Sequence, residues 1–174
     1  MTVLSRRCLA RWACLAAVLL SVSCSRACES AAPAKMEAGK AFQLVDIVKN
    51  DPRDLNKEIQ RHMKQARALK LKPVAELWAP WCPPCVALAK SMTDARMQEA
   101  FAGTYVMRFN IDEWPTQLAE LGFDASTIPA FVALDAKGRP TPRAITGGAW
   151  KEDIAENMAP PLKAFFQDTA PLFH

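Results

Sequence analysis

Glycine is scarce in this sequence, with six residues in 174. That scarcity excludes collagen-like and glycine-rich material, and no glycine cluster forms a phosphate-cradling loop or a nicotinamide or flavin fingerprint. Histidine is scarcer still: His62 and His174 are the two present, so a zinc site has too few partners for a cysteine pair. No uncharged run reaches the roughly 20 residues that a membrane-spanning helix needs. Charge of one sign is missing too, because 22 Lys plus Arg stand against 18 Asp plus Glu, and a surplus of +4 does not argue for nucleic acid. What is present is 51% hydrophobic residues with 23% charged ones, the composition of one folded domain with appended segments rather than a disordered polyelectrolyte.

The charge and the cysteines are unevenly placed. The first 28 residues hold four of the six cysteines and no acidic residue. Arg6, Arg7 and Arg11 precede a 14-residue uncharged run from Trp12 to Ser25, short for a membrane span and right for a cleaved export signal. Ser21-Val22-Ser23-Cys24 resembles the bacterial lipobox, although Ser21 stands where that pattern prefers Leu. Cys24 is therefore the candidate lipidation site, with ordinary cleavage at a nearby small residue as the alternative. Ser5-Arg6-Arg7 with Leu9 is also faintly similar to a twin-arginine signal. Either route places the protein outside the cytoplasm, in the periplasm, touching a membrane only through an N-terminal lipid. Cleavage before Cys24 removes three basic residues and leaves a charge of +1. Only Cys82 and Cys85 lie in the body, too few for a disulfide-stapled fold.

We divide the chain into an export signal at 1–23, a tether at 24–40, a domain at 41–167 and a tail at 168–174. Phe42 to Val48 is a short apolar segment, strand or helix start. After Asn50, Asp51 is positioned to cap a helix with Pro52 in its first turn, and Leu55, Ile59, Met63, Ala66 and Leu69 repeat at helical spacing. The other face carries Lys57, Arg61, Lys64, Arg67 and Lys70, read as a solvated stripe with His62 at the surface. Pro73 to Ala79 is a buried strand, Cys82 to Lys90 a helix, and Asp94 caps a further turn through Met97 and Phe101. Strands follow at Tyr105 to Ile111, Ala130 to Leu134 and Ala144 to Thr146, with a short helix at Pro115 to Leu121 ended by Gly122. Two helical pieces, Asp153 to Met158 and Leu162 to Phe166, are expected to be broken by Pro160 and Pro161. This order predicts an α/β domain: a mixed central sheet with helices on both faces.

Chemistry concentrates at Trp81-Cys82-Pro83-Pro84-Cys85, where a strand gives way to a helix. Thiol exchange needs a thiolate, and the free amides and dipole of a helix N-terminus favour negative charge there. Cys82 is expected to be the exposed nucleophile, and Cys85, one turn on, to resolve the mixed disulfide. The prolines lack amide hydrogens where a first turn has no use for them. Half of a zinc site and a buried structural pair are the competing readings.

Trp78-Ala79-Pro80-Trp81-Cys82-Pro83-Pro84-Cys85 resembles the active-site segment of the thioredoxin family. The likeness continues in Phe109-Asn110-Ile111-Asp112, in Thr127-Ile128-Pro129 and in the Lys137-Gly138 turn, across most of residues 72 to 167. Ser91 to Asp94 and Gly147 to Trp150 are similar to exported thioredoxin-like proteins, among them the C-terminal domain of the transmembrane disulfide reductase. The resemblance implies the thioredoxin fold, a redox-active Cys82–Cys85 disulfide, a cis Ile128–Pro129 bond beside it, and an Ile128 backbone and Trp81 ring that meet an extended substrate. Glu76 stands where the family usually has Asp, which implies that it accepts the proton of Cys85. On the residues alone, a carboxylate in an apolar strand is costly to desolvate and titrates high. Arg108 matches a family lysine facing that acid; a surface-facing arginine is the alternative.

The sequence thus points to an exported thiol:disulfide oxidoreductase, a reductase by resemblance. It acts on disulfide-bearing proteins, needs no cofactor, and is recharged by a dithiol donor, a membrane reductase being the natural candidate. The rival is a binding module of the same fold that holds a peptide or copper through Cys82 and Cys85.

Overall fold

The computed structural model describes residues 42–49 and 54–168. The expected export signal, Cys24, the tether, the Asn50-Asp51-Pro52 break and all but the first residue of the tail lie outside them. The elements are β1 (Gln43–Asp46), α1 (Leu55–Leu69), β2 (Lys72–Trp78), α2 (Pro83–Ser91), α3 (Ala95–Phe101), β3 (Thr104–Asn110), α4 (Pro115–Glu120), β4 (Ala130–Leu134), β5 (Pro140–Thr146) and α5 (Ala155–Asp168), with a 3-10 turn at Gly147–Ala149 before α5. They form one five-stranded sheet in the order β1-β3-β2-β4-β5. The pairs β1/β3 and β2/β3 are parallel, β2/β4 and β4/β5 antiparallel. The expected mixed α/β sheet is therefore present.

Successive side chains of a strand point to opposite faces, and β2 shows the consequence. Ala75 and Leu77 join a core with Leu55, Ile59, Met63 and Ala66 of α1 and Leu118 of α4. Val74 joins a second core on the opposite face with Leu88 of α2, Phe101 of α3 and Met158, Leu162 and Phe166 of α5. By the same alternation Glu76 belongs to the second face, beneath the α2 side of the sheet. Phe101, Phe131 and Phe166 meet there as a tilted and edge-to-face aromatic cluster, which anchors the end of α5 and holds this layer together.

Several local expectations need correction. The cap of α1 is Asp54, whose side chain accepts from the Lys57 amide at 2.8 Å; Asp51 lies outside the described residues. Leu69 is exposed, because Lys70 takes a left-handed conformation (φ 57) and turns Leu71 into the core in its place. His62 is buried, not at the surface. It lies on the inner edge of α1, with Nδ1 2.6 Å from the Tyr105 hydroxyl. In the basic stripe, Lys57 pairs with Asp54 and Arg61 with Glu58, while Arg67 donates to the Ala136 carbonyl, so the charges are largely spent locally. The strand expected at Ala144 begins at Pro140. Pro140 and Pro142 are tolerated because β5 is an edge strand, where a missing amide hydrogen breaks no ladder.

The expected break in the last helix is absent: α5 runs continuously through Pro160 and Pro161. The two carbonyls deprived of a helical donor belong to Glu156, which is exposed, and Asn157, which is half-buried. The buried stripe Ala155, Met158, Ala159, Leu162, Phe165 and Phe166 meanwhile keeps one helical face intact. Packing along that face outweighs the cost of the two prolines.

Candidate active site

β2 delivers the chain to the site. It ends at Trp78, and after Ala79-Pro80-Trp81 the side chain of Cys82 caps α2, its Sγ accepting from the Cys85 amide at 3.3 Å. With Pro83 and Pro84 supplying no amide hydrogens, this is the donor of the first turn that reaches the cap, and it favours negative charge on Sγ once the disulfide opens. Cys82 and Cys85 form a disulfide across this turn. Cys85 is fully buried. Cys82 is 3% exposed and so is not the open nucleophile expected from sequence. The reason is tertiary: its Sγ lies 3.8 Å from the carbonyl oxygen of Ile128, and the loop before β4 covers it.

That loop carries the second part of the site. The Ile128–Pro129 peptide bond is cis. The carbonyl of Pro129 accepts from the Gly147 amide at 3.0 Å, and a Cβ at Gly147 would stand 3.3 Å from the proline ring. Glycine thus lets the 3-10 turn after β5 press against Pro129. Trp81 stands on the other side, 62% exposed, its indole nitrogen donating to Asp112 Oδ2 at 2.6 Å. A cavity of about 500 Å³, lined by Ile111, Asp112, Pro115, Leu118 and Phe123 among others, opens beside that hydrogen bond.

Glu76 is the third part. It is fully buried, Oε2 accepts from Arg108 Nε at 2.9 Å, and Oε1 has no hydrogen-bond partner among the described residues. Burial pushes its carboxyl above the ordinary glutamate range, and Arg108 opposes that shift without reversing it. Arg108 therefore faces the acid rather than the solvent. Its guanidinium also stacks over the Trp78 ring at 4.3 Å and donates through Nη1 to Asp46 Oδ1 at 3.0 Å. Trp114 and Trp150 are buried packing residues, their indole nitrogens satisfied by the Ile47 carbonyl and Asp153.

The fold brings Cys82, Cys85, Ile128, Pro129 and Trp81 to one end of the sheet, with Glu76 on the strand leading there. Sequence reasoning did not single out Asp112, Gly147 or Asp46. Asp112 ends the Phe109-Asn110-Ile111-Asp112 motif and Gly147 opens the Gly147 to Trp150 segment, whereas Asp46 carries no sequence signal, since its place depends on strand register. Among the described residues no group of three or more His, Cys, Asp or Glu side chains is placed to hold a metal ion.

A family model described as Thioredoxin matches residues 54–160, more than half of the chain. A disulphide isomerase from Xylella fastidiosa Temecula1 is similar in structure, with a TM-score of 0.51 at 17% identity, over 70% of this chain and 93% of that one. A point mutant of thioredoxin from Halobacterium salinarum NRC-1 gives 0.45 at 15% identity over 80% and 99%. A thioredoxin from Schistosoma mansoni gives 0.47 at 16% identity over 74% and 96%. No curated protein matches the sequence.

Proposed function

The chain belongs to the thioredoxin family, and we propose that it is an exported thiol:disulfide oxidoreductase that reduces disulfides in proteins. The observation carrying this reading is the Cys82–Cys85 disulfide at the N-terminus of α2, set against the cis Ile128–Pro129 loop. In the reduced protein the Cys82 thiolate attacks one sulfur of a substrate disulfide. A Cys82–substrate disulfide forms and the other substrate sulfur leaves as a thiolate. Cys85 then gives its proton to Glu76 and attacks Cys82 Sγ, which closes the Cys82–Cys85 disulfide and releases the second substrate sulfur as a thiolate. Two electrons pass to the substrate, and a dithiol partner must return them. The unpaired Oε1 of Glu76 and the raised proton affinity of this buried carboxyl suit it to that step.

Trp81 and the Ile128 backbone flank the sulfurs and supply the surface against which an extended substrate segment lies. The reducing direction rests on the resemblance to exported reductases. Export rests on the basic start and the short apolar run from Trp12 to Ser25, with Cys24 as the candidate lipid attachment point and ordinary cleavage at a nearby small residue as the alternative. The test is insulin reduction by the wild-type protein and its Cys82→Ser variant. The variant is expected to lose all measurable activity; equal activity in both would sink the proposal and turn attention to a ligand-holding role for the pair.

A further inference from the structure

Asp46, Arg108 and Glu76 form a single row across three strands. Asp46 of β1 and Glu76 of β2 are both direct register partners of Arg108 on β3, so the sheet itself places the three side chains side by side on one face. The guanidinium is held at three points: Nε on Glu76 at 2.9 Å, Nη1 on Asp46 at 3.0 Å, and its plane over the Trp78 ring. One end of the row is fully buried; the other, Asp46, has a side chain 58% exposed. One cation is thus shared between a carboxylate in the protein and a carboxylate in water.

Beyond Glu76 the row ends in Phe131 of β4, which carries no charge. The helices on this face present Leu88, Ala100, Phe101, Met158 and Leu162 to the core, while Lys90, Arg96, Glu99, Glu156 and Asp168 are exposed and Lys163 pairs with Glu99. The titratable group they add near the site is Cys85, once reduced. The charges that bear on Glu76 are therefore Arg108 and Asp46.

A guanidinium keeps its charge across the working pH range. If Glu76 alone neutralised it, a protonated Glu76 would leave a largely buried cation without a counterion, and the proton-holding state would be costly. Asp46 supplies that counterion from the solvent side. Resting on the proton-transfer role of Glu76 given above, we propose that Asp46 is a positioning residue that sets the pH at which Glu76 exchanges its proton, by holding and neutralising Arg108 from the edge strand.

The probe is an aromatic disulfide that releases one coloured thiolate when Cys82 attacks and a second when Cys85 resolves. Stopped-flow absorbance then follows both steps of the reduced protein between about pH 5 and 9. Asp46→Asn keeps the shape and an acceptor oxygen but loses the charge. It is expected to move the midpoint of the second phase down by about one pH unit, with the shift confined to that phase, and Asp46→Glu to restore the wild-type midpoint. A second-phase profile of Asp46→Asn superimposable on wild type, alongside a Glu76→Gln variant that loses the titration, would overturn the proposal and leave the role of Glu76 standing. A Glu76→Gln profile identical to wild type would remove Glu76 from the mechanism and this inference with it. Loss of fold is read out separately by urea unfolding of each variant.

Discussion

Arg108 and Glu76 meet across β3 and β2 with a 2.9 Å hydrogen bond, joining a largely buried cation on an inner strand to a carboxyl that has no contact with water. The bond softens the desolvation of Glu76 but does not cancel it, so the carboxyl binds its proton more tightly in the folded chain than in the unfolded one.

Glu76→Gln is accordingly expected to stabilise the protein as pH rises. For an acid whose folded value is raised, the favourable contribution is complete below the unfolded value near 4.5 and is lost as pH climbs through the folded value. The variant should match wild type near pH 4 and become progressively the more stable of the two as pH rises to neutral in urea unfolding. A gap that is constant with pH would contradict this account. The same substitution should slow resolution more than attack.

Cys85→Ser should trap substrates covalently. With Cys85 absent, the mixed disulfide on Cys82 has no internal nucleophile to release it. Non-reducing gels and mass spectrometry are expected to find adducts on Cys82, dissolved by added dithiol, and failure to trap any partner would count against the exchange mechanism.

His62 gives a second pH dependence, of opposite sign. The Tyr105 hydroxyl donates to Gln65 Oε1, so it accepts from His62 Nδ1–H, which leaves Nε2 to accept from Arg61. The network is built for a neutral ring, and burial first, then Arg61, lowers the proton affinity of His62. For a base whose folded value is depressed, stability is fully present above about 6.5 and falls as pH drops below it. The His62 contribution should be lost in that acid window, opposite in sign to that of Glu76, and His62→Gln should remove it from the pH dependence of stability. Identical slopes in the two proteins would show that the ring does not titrate in this way.

Gly138 and Gly103 both sit at positive φ, 74° and 80°, but only one is crowded. A Cβ at Gly138 would lie 2.7 Å from Ile59 Cγ2 and 3.1 Å from Met63 Cγ, both fully buried, whereas nothing lies within 4 Å of one at Gly103. Gly103→Ala should cost about 1 kcal/mol from backbone strain alone. Gly138→Ala adds the clash and should cost about 2–4 kcal/mol. Denaturant midpoints of the pair separate the two effects, and equal losses would mean that α1 yields without penalty.

Asp112→Ala should free the Trp81 ring, whose indole nitrogen it now fixes at 2.6 Å. A loosened substrate wall affects binding more than chemistry, so KM for insulin is expected to rise about 3–10-fold with kcat nearly unchanged. A loss confined to kcat would place Asp112 in the chemical step instead.

The sequence by itself determined the α/β order of elements, the redox pair Cys82–Cys85 and its place at a strand-to-helix junction, because those depend on residue type and local period. Alternation along a strand was also enough to show that Glu76 is an acid among apolar neighbours. Tertiary structure decided the rest. Whether Cys82 is open depends on the Ile128 loop, more than forty residues away in sequence, and His62 is buried because β3 brings Tyr105 to it. The prolines of α5 read locally as a break, yet one continuous buried face overrides them. Asp46 joins Arg108 and Glu76 only through the register of β1, β3 and β2, and register is a property of the assembled sheet that no single segment encodes.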